Sequence, residues 1–130
     1  MIILDTDVCI EILRGNEDLT RVLGDMDEIR AIAFMTYGEL LYGAYNSKKV
    51  EYNISLVTAF IDNLFVIEND LKIMDLFGRI KSGLRRSGSI IPDADLLIAA
   101  TALSNDCTLL TGNVSHFRRI SSLIVKDWRS

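Results

Sequence analysis

The chain has 130 residues, 49% of them apolar and 25% charged, with a formal net charge of −4. This balance suits one domain over residues 1–130 with a single buried core, and it excludes a disordered chain or a uniformly basic nucleic-acid binder. No apolar run approaches the roughly 18–20 residues that cross a bilayer, and the charge at Asp5 comes too early for a signal peptide, so the expected location is cytoplasmic with no membrane partner.

In chain order, Ile2 to Leu4 reads as a short strand ending at Asp5, and Val8 to Leu13 as a short helix closing near Gly15. Leu19 to Met26 forms a second helix. Ile29 to Phe34 is an apolar strand, after which Tyr37, Leu40, Leu41, Ala44 and Tyr45 recur at helical spacing. Ile54, Val57, Ile61 and Leu64 mark another helix, leading into a strand at Phe65 to Ile67. Leu71 to Leu84 is a longer helix with a basic end that suits its dipole, stopped by Ser87-Gly88-Ser89. Pro92 opens a helix over Ala94 to Leu103, followed by a strand at Thr108 to Leu110 and an edge strand at Leu123 to Val125.

Apolar strands alternating with helices predict an α/β fold, a three-layer α/β/α sandwich around a mainly parallel sheet. Ligands of such sheets bind at the carboxyl ends of the strands. By that rule Asp5 ends the first strand and Glu39 lies in the first turn of the helix after the second. Asp95 opens the helix feeding the strand at Thr108, and Asn113 lies just beyond that strand.

Each position also has a local explanation. Thr36-Tyr37-Gly38-Glu39 has the form of a capping box, Asp7 of a helix cap, and Asp93 and Asp95 suit a first helical turn. Yet unrelated caps have no reason to share one edge of one sheet, and clustered carboxylates repel one another unless a cation intervenes. There is one histidine, His116, and the two cysteines, Cys9 and Cys107, read as core residues. Any bound ion is therefore held by oxygen, which favours Mg²⁺ or Mn²⁺. Basic clusters at Lys48 and Lys49, at Arg79, Lys81, Arg85 and Arg86, and at Arg118 and Arg119 each read as solvated faces.

Together the segments LDTDVCI, TYGELLYGA, IPDADLLIAATAL and LLTGNVSHF and the terminal Asp127-Trp128 resemble the PIN-domain ribonucleases, specifically the VapC-type toxins of type II toxin–antitoxin systems. The resemblance covers nearly the whole chain. It implies that Asp5, Glu39 and Asp95 are the catalytic, metal-ligating acids and that Asp93, two residues early, is auxiliary. Where the family often has a fourth acid, this chain has Asn113 and His116; Asn113 can ligate through its carbonyl oxygen but adds no charge. Thr6 and Thr111 match polar positions near the family's site and are equally explained by local backbone hydrogen bonds.

The resemblance further implies a Mg²⁺- or Mn²⁺-dependent endoribonuclease that hydrolyses RNA to arrest translation, acts as a homodimer and pairs with a cognate VapB-type antitoxin. A basic antitoxin side chain would suit the acidic pocket. Three carboxylates lead to the expectation of one firmly held ion and a second arriving with RNA. Two alternatives stand beside this reading. Asp5-Thr6-Asp7-Val8 also matches a haloacid dehalogenase-type phosphatase, with Asp5 as nucleophile and Asp7 as general acid. A non-catalytic PIN-fold binding protein is the other.

Overall fold

The computed structural model describes all residues, 1–130. Five parallel strands, β1 (Ile2–Leu4), β2 (Arg30–Ala33), β3 (Phe65–Ile67), β4 (Thr108–Thr111) and β5 (Val125–Asp127), form one sheet in the order β3-β2-β1-β4-β5. The helices are α1 (Thr6–Leu13), α2 (Glu17–Gly24), α3 (Phe34–Tyr45), α4 (Val50–Ile61), α5 (Leu71–Arg86), α6 (Asp93–Ser104) and α7 (Val114–Phe117). They cover both faces, as the expected three-layer sandwich requires.

Strand alternation divides the core in two. Ile3, Ala31, Ala33 and Leu109 face a cluster built with Leu84 of α5, Leu96, Ile98, Ala99 and Ala102 of α6, and Phe117 of α7. Ile2, Leu4, Ile32 and Leu110 face the opposite cluster, built with Val8 and Cys9 of α1, Leu19 and Leu23 of α2, Leu40 and Ala44 of α3, and Val57 of α4. The small side chains of Ala31 and Ala33 let α6 lie close to the sheet. That helix is buried on several sides, from Leu96 through Ala102, so its composition shows no polar stripe. Cys9 and Cys107 are both buried free thiols, consistent with core residues, and burial pushes the Cys9 thiol well above its ordinary pKa.

Beyond shifts of a few residues at several element ends, three departures from the sequence reading stand out. Phe34 is the first residue of α3 rather than the last of a strand, and Ile29 precedes β2. An apolar run of this length carries no periodicity that separates strand from helix. The last strand is Val125–Asp127 instead of Leu123–Val125, because Ser122 turns the chain at φ 71° and Val125 then pairs with Leu109. The segment read only as polar after β4 contains the single turn α7.

The topology fixes where a site can form. From β1 the chain proceeds outward through β2 to β3, then returns to the other side of β1 for β4 and β5. The winding reverses between β1 and β4, whose register pairs Leu4 with Leu110. Helices leaving the carboxyl ends of these two strands diverge and leave a crevice there.

Candidate active site

Asp5 stands at that switch point. It is 4% exposed, and its backbone N–H donates to the Leu110 carbonyl at 2.9 Å. Its side chain caps α1, Oδ1 accepting from Thr6 N–H at 2.8 Å, while Oδ2 accepts from the Thr111 hydroxyl at 2.7 Å. Burial, followed by the charges of Asp7 and Asp95, raises its pKa to about 7, against the lowering effect of the Thr111 and Thr6 bonds.

From Asp5 a polar network runs in both directions. Thr6 Oγ1 donates to Glu39 Oε1 at 2.6 Å and lies 3.0 Å from Thr36 Oγ1. On the other side Thr111 Oγ1 accepts from Asn113 N–H at 2.9 Å. His116 Nδ1 lies 3.0 Å from Asp95 Oδ2 and 2.9 Å from the Asn113 side-chain amide. Because the carboxylate only accepts, Nδ1 carries the proton and donates to Asp95; the Asn113 amide is then best turned with its carbonyl oxygen toward the ring. Glu39, Thr6, Asp5, Thr111, Asn113, His116 and Asp95 thus share one network drawn from α1, α3, β4, α6 and α7.

The local explanations fare differently. The capping-box reading of Thr36 and Glu39 fails: α3 begins at Phe34, its N-cap Ala33 makes no side-chain cap bond, and Glu39 falls in the second turn. Freed from the backbone, Glu39 reaches Thr6 instead. Nor is Asp7 the cap of α1, which is Asp5. Asp7 Oδ2 accepts from Gly112 N–H at 3.0 Å, and its Oδ1 is buried without a partner. A Cβ on Gly112 would stand 2.9 Å from Asp7 Oδ2 and 3.3 Å from Trp128 Nε1, so a larger residue there would push the Asp7 carboxylate out of its place. Asp93 turns away from the network and pairs with Lys81 Nζ at 2.9 Å.

Thr36 and Gly112 are the contributors that sequence reasoning missed. The one available signal was Thr36, a polar residue at a position the helix buries completely. The C-terminal residues brace the same loop: Arg129 Nη2 donates to the Gly112 carbonyl at 2.6 Å and pairs with Asp127, whose carboxyl it holds below the usual range.

No group of three or more Asp, Glu, His and Cys side chains stands close enough together to hold a metal ion. The donor chemistry still fits a hard divalent ion. Asp5 carries a charge that burial opposes, Asp7 and Asp95 add to it, and the Asp7 oxygen lacks a partner. A Mg²⁺ typically takes one or two carboxylates and completes its shell with water and substrate phosphate, so an open cluster suffices.

A family model described as the PIN domain matches residues 2–123. Ribonuclease VapC2 of Rickettsia felis is 34% identical over 129 residues, covering 96% of each chain. A tRNA(fMet)-specific endonuclease VapC of Salmonella typhimurium is 32% identical over 126 residues, again covering 96% of both. Among solved structures, VapBC2 from Rickettsia felis bound to a DNA fragment from its promoter superposes with a TM-score of 0.93 at 32% identity, covering 98% of this chain and 99% of the other. VapBC-1 from nontypeable Haemophilus influenzae gives 0.90 at 28% identity over the full length of both. With its parallel sheet, its acids at the β1/β4 switch point and these relatives, the chain belongs to the PIN domain family, in its VapC branch.

Proposed function

We propose that residues 1–130 form one nuclease domain that hydrolyses RNA phosphodiester bonds with Mg²⁺ or Mn²⁺, as the toxin of a toxin–antitoxin pair. The observation that carries this reading is the buried Asp5 carboxylate, tied through one polar network to Glu39 and Asp95 at the sheet's switch point. A desolvated acid with a raised pKa, set among other acids in a crevice, is a mark of functional sites.

Asp5, Glu39 and Asp95 would hold the ion, with Asn113 and Asp7 beside them. When bound, it would lower the pKa of water and stabilise charge on a phosphoryl oxygen. The chain's own groups prepare that arrangement. Thr6 N–H and the Thr111 hydroxyl favour the ionised form of Asp5, and the Thr6 hydroxyl fixes the Glu39 carboxylate. His116 orients Asp95 and limits its freedom to rotate. Because His116 acts through Asp95, His116→Ala is expected to lower RNA cleavage about 10–100-fold and to weaken metal affinity by a similar factor, read by a cleavage assay and by calorimetric Mn²⁺ titration. Unchanged values for both would remove His116 from the site.

The partners follow from the same relatives. VapBC complexes contain an antitoxin, and we infer a VapB-type partner for this chain together with a homodimer. The cluster of Asp5, Asp7, Glu39 and Asp95 suits a basic antitoxin side chain. No helix is long and apolar enough to cross a membrane.

The phosphatase alternative needs Asp7 free to deliver a proton, but its Oδ2 is held by Gly112 N–H and its Oδ1 is buried. The nuclease reading is tested by incubating the purified chain with total RNA, with Mg²⁺, with Mn²⁺ and with a chelator, and mapping new 5′ ends by sequencing. Discrete cuts that need the ion are expected; cuts that survive chelation overturn the metal-dependent reading.

A further inference from the structure

On the far side of α6 from His116, the end of α5 and the loop into α6 enclose a pocket of about 540 Å³, within the range of about 300–1,000 Å³ typical of small-molecule sites. Its floor is apolar and buried: Leu84, Ile91 and Leu96. Its rim is polar on one side, with Lys81 and Arg85, and apolar on the other, where Ile90 is 81% exposed. Arg119 Nη1 donates to the Ile90 carbonyl at 3.1 Å and fixes that loop.

Charge and position decide the occupant. The only acid on the rim, Asp93, is engaged by Lys81, whereas Arg85 lies exposed in the last turn of α5 with no carboxylate partner. With Arg119 held on the Ile90 carbonyl, a second cation borders this pocket on a chain whose net charge is −4. Asp93 on the rim and Asp95 in the network both belong to the first turn of α6 but face different neighbours, so the pocket and the carboxylate network lie on two sides of one helix, about 10 Å across. A ligand matching an apolar floor beside an unpaired cation carries an unstacked planar group next to an anion. Single-stranded RNA presents that combination at every nucleotide.

Resting on the nuclease reading, we propose that this pocket binds a nucleotide of the RNA substrate flanking the bond to be cut, with its base against Leu84, Ile90 and Ile91 and its phosphate on Arg85. The site is a subsite for substrate placement and takes no part in the chemistry. Losing it weakens binding and leaves turnover of bound RNA intact.

The test uses the full chain with fluorescent random-sequence oligoribonucleotides carrying thiouridine. Arg85→Glu is expected to weaken binding about 10-fold, to reduce the salt slope by about 1, and to raise KM with kcat held. Arg21→Glu, at an exposed position of α2, serves as the charge control and is expected to change binding far less. Photo-crosslinks in the wild type are expected on the peptide containing Ile90 and to disappear in Arg85→Glu. Wild-type affinity and salt slope in Arg85→Glu, an equal loss in Arg21→Glu, or crosslinks confined to other peptides each overturn the subsite. A wild-type chain that neither binds nor cleaves any RNA overturns the nuclease reading itself, a separate result.

Discussion

Asp5→Asn is expected to reduce RNA cleavage by about 10³-fold or more, a loss of about 4 kcal/mol of transition-state stabilisation, while making the metal-free protein more stable. The two effects have one cause. In the fold, Asp5 is buried and its pKa rises to about 7 from 3.8. Between these values the folded chain binds more protons than the unfolded chain, so this group favours folding at low pH. Its contribution is fully present below about pH 4 and is lost as pH rises through about 7. At roughly 1.4 kcal/mol per unit the ceiling is about 4 kcal/mol. Asparagine has no charge to desolvate and keeps the shape: Oδ1 still accepts from Thr6 N–H, and Nδ2 can donate to Thr111 Oγ1.

Urea unfolding of the two proteins without metal is expected to show the variant ahead by about 1–3 kcal/mol near pH 8, with the gap closing near pH 4. Added Mn²⁺ is expected to narrow the gap, since an ion that binds only the folded wild type stabilises it by mass action. A variant that retains cleavage, or one that is equally destabilised at both pH values, would show that Asp5 is an ordinary structural carboxylate.

How much of this was legible in the sequence depended on whether the signal was local. Asp5 could be read because a carboxylate directly after the apolar Ile2-Ile3-Leu4 has no solvated place to go. Asp95 was chosen over Asp93 by motif, and the structure separates the two: Asp95 meets His116, and Asp93 meets Lys81. Glu39 was located, but its environment was misread, because Thr36 and Glu39 at i and i+3 look the same whether they close a helix end or point together from its interior. The deciding fact is that α3 starts at Phe34, where apolar residues continue from β2 without a break. The Asp7–Gly112 contact joins residues 105 apart in the chain, a separation at which spacing carries no information. The short helix α7 escaped notice because four residues do not establish a period.

Thr111→Val carries the second large expected effect, because this hydroxyl joins the two halves of the network. It is fully buried, donates to Asp5 Oδ2 at 2.7 Å and accepts from Asn113 N–H at 2.9 Å. Valine fills the same volume with no polar atom, so the Asp5 oxygen and the Asn113 N–H both lose a partner where water has little access. The expected cost is about 2–4 kcal/mol of stability, more than a hydroxyl's own hydrogen bonds contribute, because unpaired buried groups retain their full desolvation penalty. The loss also has a pH signature. The Thr111 bond lowers the pKa of Asp5, so its removal raises that pKa further, and the metal-free variant is expected to lose more stability above about pH 7 than near pH 4. Thr111→Ser retains the hydroxyl and is expected to recover most of both stability and cleavage. In the double variant with Asp5→Asn the penalty of Thr111→Val should shrink, because no charge is then left unpaired; the coupling in that cycle isolates the Thr111–Asp5 interaction. Equal costs of Thr111→Val in the presence and absence of the Asp5 charge would show that the hydroxyl serves the loop alone.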